Sequence, residues 1–296
     1  MSNLDTKSSF QGISIIIPAY NEIQSIEVEV RNVLNVLKKV AMPQEVIVVD
    51  DGSTDGTGEA LRRIRDIRVL NHQQNRGYGA SLKYGIRNAK YDLVGIIDAD
   101  GTYPKDEIPG MIKKLIAEKS DMVVAARLGA DVKIPAIRKP AKKMIGLLAN
   151  YLTGFRIPDL NSGLRVMRKD IVEKFFNILP SGFSFTTTIT LAMLTNDYKV
   201  DYISINYNVR EGKSKIRPVH DTLNFIMLVF RTVMYFNPLK VFLPMSMGLF
   251  LVGFSLLLVR LLVGKILIST TITVFVGAFV ILAIGLLADL IDKRMQ

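Results

Sequence analysis

Three apolar runs in the first hundred residues each stop at a turn that carries carboxylates, and this repetition constrains the fold more tightly than any other feature. Ile13 to Ile17 stops at Pro18-Ala19-Tyr20-Asn21-Glu22, Glu45 to Val49 at Asp50-Asp51-Gly52-Ser53, and Leu93 to Ile97 at Asp98-Ala99-Asp100. A short continuous apolar run bounded by turn residues reads as a strand buried on both faces. Between the runs the period changes. Ile23, Ile26, Val30, Val33, Leu34 and Leu37 recur at helical spacing, Asn75-Arg76-Gly77-Tyr78-Gly79-Ala80 opens a helix to about Ala89, and another helix covers Glu107 to Ala117. Shorter strands are predicted at Ile67 to Leu70 and Met122 to Ala125. Strands alternating with helices of this length predict an α/β fold, a doubly wound and mostly parallel sheet. In such sheets ligands bind beyond the carboxyl ends of the strands, where these carboxylates sit.

Asp98-Ala99-Asp100 is followed by Gly101-Thr102-Tyr103-Pro104, a turn into a helix. Two carboxylates held at a strand end suit a hard divalent cation, Mg²⁺ or Mn²⁺, shared with substrate phosphates. The chain has no cysteine, which excludes disulfides and thiolate metal sites, and only His72 and His220, which argues against a multi-histidine site. A dinucleotide-binding turn is a poor reading. Gly77 and Gly79 supply two of the three glycines needed, and they follow the third strand, not the first.

Beyond Arg127 the pattern loosens. Arg127, Lys133, Arg138, Lys139, Lys142 and Lys143 are interrupted by Pro135 and Pro140, which reads as a solvated basic loop or as a clamp for phosphates and anionic lipid heads. Phe183 to Leu194 includes a helix, and Tyr202 to Tyr207 alternates like a strand. Val219 to Phe236 gathers Leu223, Ile226, Met227 and Phe230 on one face and reads as a helix lying in a membrane interface. Two apolar segments, about 241–263 and 266–288, each reach the roughly 20 residues needed to span a bilayer. The break at Gly264-Lys265 allows only a helical hairpin. The division expected is a catalytic domain at 1–217, a juxtamembrane helix at 218–237 and a transmembrane hairpin at 238–296. A net charge of +11 then points to a membrane surface and a phosphorylated substrate, not to nucleic acid, because the basic residues precede the apolar segments. The polar start, Met1 to Gly12, has no apolar core, so the catalytic domain and both termini are expected in the cytoplasm, with only Arg260 and Lys265 near the outer face.

Four stretches together, PAYNE at Pro18 to Glu22, VVDDGSTDGT at Val48 to Thr57, NRGYGAS at Asn75 to Ser81 and DADGTYP at Asp98 to Pro104, resemble the family 2 inverting glycosyltransferases with a GT-A fold. DLNSGLR at Asp159 to Arg165 and REGKSK at Arg210 to Lys215 are similar to the branch that glycosylates polyprenyl phosphates, dolichyl or undecaprenyl. The resemblance implies that Pro18, Ala19, Tyr20 and Glu22 line the base and ribose pocket of a UDP- or GDP-hexose. Asp50 would contact the base, Asp51 would support the loop, and Gly52, Ser53, Arg76 and Gly77 would complete the donor site. It implies that Asp98, beside Ala99, holds the ribose or sugar and that Asp100 coordinates Mg²⁺ or Mn²⁺. Thr102 stands where a further metal contact is usual, although a hydroxyl is a weaker ligand. Arg127, Arg138 and Ser162 would bind the acceptor phosphate, and Arg210, Ser214 and Lys215 would close over the phosphates, with Asp98, Asp100, Arg127 and Arg210 the catalytic set. Asp159 would orient a sugar or simply cap its turn.

The activity implied is transfer of one hexose to a polyprenyl phosphate with inversion. Two alternatives stand beside it: a processive polysaccharide synthase, whose Gln-x-x-Arg-Trp motif has no counterpart in a chain without tryptophan, and a non-catalytic nucleotide-sugar-binding membrane protein. A homo-oligomer is compatible with the sequence.

Overall fold

The computed structural model describes residues 10–128, 146–206 apart from 148, 152 and 183, residues 227, 230, 234 and 235, and residues 237–263 and 268–295. In chain order the elements are β1 (Ile13–Ala19), α1 (Ile26–Leu37), β2 (Gln44–Asp50), α2 (Thr57–Arg62), β3 (Arg68–Asn71), α3 (Tyr78–Asn88), β4 (Leu93–Ile96), a 3₁₀ turn (Lys105–Glu107), α4 (Ile108–Glu118) and β5 (Met122–Arg127). After them come β6 (Arg165–Arg168), α5 (Lys169–Lys174), α6 (Phe185–Thr195), β7 (Val200–Ile205), α7 (Leu239–Val263) and α8 (Ile268–Met295).

Seven strands form one sheet in the order β3-β2-β1-β4-β6-β5-β7. Every residue of β1 is buried, as the uninterrupted apolar run requires, and its side chains alternate between two cores. Ile15 and Ile17 join α1 and α4 through Ile26, Val30, Met111 and Leu115. Ile16 joins α3, α5 and α6 through Leu82, Ile86, Val172 and Ile189. The sheet is therefore covered on both faces.

The sheet is mostly parallel, as the alternation predicts, with one strand that the sequence does not announce. β6 pairs antiparallel with both β4 and β5, and of its four residues, Arg165-Val166-Met167-Arg168, only the first belongs to the Asp159–Arg165 motif. A strand this short, with arginine at both ends, has no apolar run to announce it. Residues 146, 147, 149–151 and 153 are helical, in a stretch where the sequence pattern announces no element. Of the segment at 218–237, residues 227, 230, 234 and 235 are helical and most of the remainder lies outside the described residues.

Helices α7 and α8 pack against each other. Ser246 Oγ donates to the Ala278 carbonyl at 2.9 Å. The Phe250 ring meets Phe279 edge-on at 4.9 Å, and a Cβ on Gly285 would lie 2.6 Å from Phe242 Cβ. Within the spans Leu239–Leu262 and Ile268–Ile291, only 11% of the most apolar 18-residue stretch is buried in the protein, and Leu261 and Leu262 are 74% and 85% exposed. Helices so apolar and so uncovered fit a membrane hairpin, not a soluble core.

The start of α3 requires glycine. A Cβ on Gly79 would fall 2.2 Å from the Pro180 carbonyl oxygen and 2.9 Å from that of Gly182, with no flexible side chain to yield. Gly79→Ala is expected to destabilise the domain by about 1–3 kcal/mol, as overpacking does. A thermal unfolding curve checks this, and the midpoint should fall by several degrees.

Candidate active site

The loops after β1 and β2 are laced together before any ligand arrives. Ala19 and Asp50 are register partners, and the Asp51 amide donates to the Ala19 carbonyl at 2.8 Å. Asn21, with φ 56°, turns so that its amide donates to Ser53 Oγ at 3.0 Å while its Oδ1 accepts from the Thr54 amide at 2.8 Å. Asp55 accepts from Thr57 Oγ1 at 2.6 Å and from the Ile23 amide at 3.1 Å. Burial acts to raise the Asp55 carboxyl, but its bonds to Thr57 and Ile23 outweigh that and hold it below the ordinary value.

The two adjacent aspartates have different surroundings. Asp50 is buried, accepts from the Ser53 amide at 3.0 Å and lies where a Cβ on Gly58 would come within 2.8 Å of its Oδ2. Asp51 points into the fold. Its carboxylate accepts from the Arg76 and Gly77 amides at 2.9 and 2.8 Å, and His72 Nδ1 lies 2.6 Å away. His72 in turn stacks on Tyr84 at 5.1 Å. A cavity of about 670 Å³ opens beside this group, lined by Asn71, His72, Gln73, Gln74, Arg76 and Tyr84.

At the end of β4, Asp98 and Asp100 are half-buried. Asp98 Oδ1 accepts from the Tyr78 hydroxyl at 2.8 Å, and a Cβ on Gly163 would stand 2.2 Å from its Oδ2. Burial pushes the Tyr78 phenol well above its ordinary value, and the Asp98 charge reinforces it, so Tyr78 stays a donor. Asp100 Oδ1 accepts from Thr102 Oγ1 at 2.6 Å and from the Thr102 amide at 3.2 Å. Thr102 is thus buried behind the carboxylate and orients it, a different part from the further metal ligand expected from the sequence.

Across the cleft, Arg127 closes β5 and grips Asp159. Nε donates to Oδ2 at 2.7 Å, Nη2 to Oδ1 at 2.8 Å, and the Arg127 amide adds a third bond at 3.1 Å. Burial acts to raise the Asp159 carboxyl, but the bonds and charge of Arg127 hold it below the ordinary carboxylate value. Ser162 is fully buried, with its Oγ beside the Leu164 amide and carbonyl, and is not brought to the cleft. Arg138, Arg210, Ser214 and Lys215 lie outside the described residues. Tyr20 and Arg76 are exposed at the cleft edge, Pro18 and Ala19 are buried in β1, and Glu22 sits half-buried where Ser25 Oγ donates to the Ala99 carbonyl at 2.9 Å.

The sequence reading assigns no role to Tyr78, Tyr103 or Arg165, which the structure puts directly behind the cleft. Tyr103 Oη accepts from the Gly163 amide at 2.7 Å. Arg165 is the largest fully buried side chain. The signal for Tyr78 was a bulky aromatic set between two glycines at a helix start. Arg165 ends the DLNSGLR stretch, but its burial against Thr190 and Met122 depends on partners 25 and 43 residues away.

Residues 14–176 match the model of the Glycosyl transferase family 2, and residues 237–293 that of the GtrB C-terminal hairpin. Among curated relatives, an undecaprenyl-phosphate 4-deoxy-4-formamido-L-arabinose transferase of Yersinia enterocolitica is 31% identical over 60% of this chain. The match spans 57% of that relative's length. The Pectobacterium carotovorum counterpart is 29% identical over 86% of this chain and 76% of its own. Among solved structures, glucosyl-3-phosphoglycerate synthase of Mycobacterium tuberculosis with Mn²⁺, UDP-glucose and phosphoglyceric acid superposes with a TM-score of 0.59 at 20% identity, covering 75% of this chain and 80% of that one. The same synthase with Mg²⁺ and UDP gives 0.57, again at 20% identity, over 76% and 78% of the two chains. At that identity these structures speak for the fold alone, a GT-A fold.

Asp159→Asn is expected to destabilise the domain by about 2–3 kcal/mol at neutral pH, less than for a fully buried pair because Arg127 reaches solvent. The folded carboxyl titrates below the unfolded one, so its contribution is complete above the ordinary carboxyl range and fades as pH falls through its own value. Denaturant unfolding of wild type and variant should therefore differ at pH 7 and converge in acid.

Proposed function

Because the chain belongs to glycosyl transferase family 2, we propose that it transfers a single hexose from a UDP- or GDP-sugar to a polyprenyl phosphate in the membrane, with inversion at the anomeric carbon. The observation that carries this reading is the combination, in one chain, of a single loop, 159–163, that packs on the strand-end carboxylate Asp98 and grips Arg127, and an apolar two-helix hairpin after the domain. The names of the curated relatives support an undecaprenyl-phosphate acceptor.

The residues at the end of β4 fit a divalent cation. Asp98 and Asp100 offer hard oxygens, and the described residues hold no group of three or more His, Cys, Asp or Glu. The remaining ligands would come from the diphosphate and water, the arrangement Mg²⁺ commonly adopts. The chemistry supplied there, when Mg²⁺ or Mn²⁺ is bound, is neutralisation of charge growing on the departing diphosphate.

The protein's own residues do the rest. Thr102 fixes the Asp100 carboxylate, and Tyr78 and Gly163 fix Asp98. Arg127, held flat by Asp159, offsets repulsion between the acceptor phosphate and the donor diphosphate. An oxygen of the lipid phosphate bonds to the anomeric carbon as the bond to the diphosphate breaks, and the electron pair leaves with the diphosphate. That oxygen is already anionic near neutral pH, so no strong base is required. Positioning is the main contribution.

The cleft faces the bilayer in this reading. Leu147 and Tyr151 are each 60% exposed and Phe155 47%, four residues apart along the helix at 146–153 and its exit. The other side of that helix is seated by Ala149, which shares a cluster with Leu191, Leu194 and, on α7, Val241. The stripe therefore continues the apolar surface of α7 and would rest in the headgroup boundary, with the catalytic domain and both termini on the cytoplasmic side. From there the chain needs few residues to reach Asp159.

Two measurements test the proposal. Membranes containing undecaprenyl phosphate are incubated with labelled UDP-glucose, GDP-mannose or UDP-4-deoxy-4-formamido-L-arabinose, with and without Mn²⁺. Metal-dependent label in an organic-extractable monosaccharide-lipid is expected, falling by on the order of 10³-fold in Asp100→Ala, a loss of several kcal/mol. A water-soluble polymer would instead favour a synthase, and donor binding without product a sensor. Because the chain has no tryptophan, Tyr151→Trp gives a single probe of the stripe. Brominated acyl chains should quench it, and should leave a Val28→Trp control on α1 bright.

A further inference from the structure

We infer that Arg165 is a positioning residue that sets the separation between the Asp98 carboxylate and the Arg127 guanidinium. The names donor side for Asp98 and acceptor side for Arg127 rest on the transferase reading; the geometry does not.

Arg165 begins β6, and its register partners are Ile96 on β4 and Val124 on β5. Asp98 lies two residues beyond the first and Arg127 three beyond the second. One residue thus stands between the two strand ends that carry the site. It is 0% exposed, and among the described residues its hydrogen bonds go to neutral acceptors. Nε donates to the Ser162 carbonyl and Nη2 to the Leu160 carbonyl, each at 2.8 Å, and Nη1 reaches Thr190 Oγ1 and, at 3.7 Å, Met122 Sδ. A buried guanidinium hydrogen-bonded to no carboxylate among the described residues, with Asp159 acting on it only through its charge, is an expensive way to fill space, and an apolar side chain of similar volume would serve stability as well or better. Its arrangement does something an apolar side chain does not: it holds the two carbonyls that flank Asn161.

The loop so held touches both halves of the site. At one end Asp159 chelates Arg127. At the other, Gly163 packs against Asp98 so closely that a Cβ would overlap both carboxylate oxygens, and its amide is tied to Tyr103. In the middle Thr187 Oγ1 donates to Asn161 Oδ1. Two buried threonines of helix α6 meet this group, Thr187 at Asn161 and Thr190 at Arg165, so the helix braces both the loop and the guanidinium. Release of Arg165 would leave Leu160 and Ser162 carbonyls without these bonds, and a loop that relaxes moves Asp159 and Gly163 together. A shift of about 1 Å at reacting groups is enough to cost on the order of 100-fold in rate.

The test uses the full chain in nanodiscs. Arg165→Lys keeps the charge but presents its donors from one point, so it cannot span both carbonyls. Arg165→Met keeps volume without charge, and Thr190→Val removes one acceptor only. In the transfer assay, kcat should fall about 10- to 100-fold in Arg165→Lys and further in Arg165→Met, with donor Kd by calorimetry within about two-fold of wild type. Thr190→Val should move the same way by less. Arg165→Lys combined with Asp159→Asn should lose less than the product of the single losses, since both act through one loop. The chain has no cysteine, so Val28→Cys with Leu128→Cys takes a spin-label pair, and Arg165→Met should shift or broaden the distance between α1 and the end of β5. An unchanged kcat in folded Arg165→Met, a loss explained wholly by donor Kd or by the folded fraction, or an unchanged distance distribution would overturn the inference. If wild type yields no lipid product, the transferase reading fails, and the distance measurement alone decides whether Arg165 sets the geometry.

Discussion

Strand β6 runs against its neighbours between β4 and β5, and it is the hydrogen bonding of this one antiparallel strand that brings the second half of the chain back to the first. Strands β1 to β4 are parallel to one another and could carry carboxylates at their ends without any help. They could not supply a wall opposite those carboxylates. Reversal at β6 does so, because the chain entering it, Asp159 to Leu164, is laid across the ends of β4 and β5 at the level where ligands bind. The close contact of Gly163 with Asp98 and the fork between Arg127 and Asp159 both follow from that placement.

The same cleft has an electrostatic problem that its geometry answers in stages. Asp50, Asp51, Asp98 and Asp100 crowd one sheet edge, yet each has a different neighbourhood. Asp51 is consumed by amides of the loop at Arg76 and Gly77 and is structural in its bonding. Asp98 leans on a phenol that burial keeps protonated. Asp100 is turned by a hydroxyl one residue past the glycine turn. Hydrogen bonds from Tyr78 and Thr102 orient the Asp98 and Asp100 carboxylates. Arg127 is forked onto Asp159, which holds its guanidinium in one plane.

What could be read from sequence was whatever depended on short-range order. Ile13 to Ile17 and Leu93 to Ile97 are apolar because both sides of those strands are covered, and the helical spacing from Ile26 to Leu37 is the imprint of one core. The apolar segments behind α7 and α8 were equally plain, since a span needs only length and composition. Burial by tertiary packing is what a local window does not show. Arg165 looks like a surface residue there, and its burial is completed by Thr190 and Met122, which come from α6 and β5. Ser162 was read as facing a phosphate because it lies in a motif, whereas its hydroxyl serves the turn itself. The helix at 146–153 escaped notice because its apolar residues point outward as well as inward, which blurs the period that announces a core-facing helix.

The hairpin has one more consequence. Its inner seam is closed by aromatic rings, by Gly253 and Gly285 that let Phe275 and Phe242 come close, and by the Ser246 bond to a helical carbonyl. Among the described residues, the seam between the two helices is filled by side chains and leaves no water-filled route. A sugar joined to a lipid at the cleft would therefore stay in the leaflet where it was made, its polar head facing the compartment that supplied the nucleotide. Passage of that head to the opposite leaflet would be work for other machinery, and this chain would act as a one-sided source that loads a single monolayer.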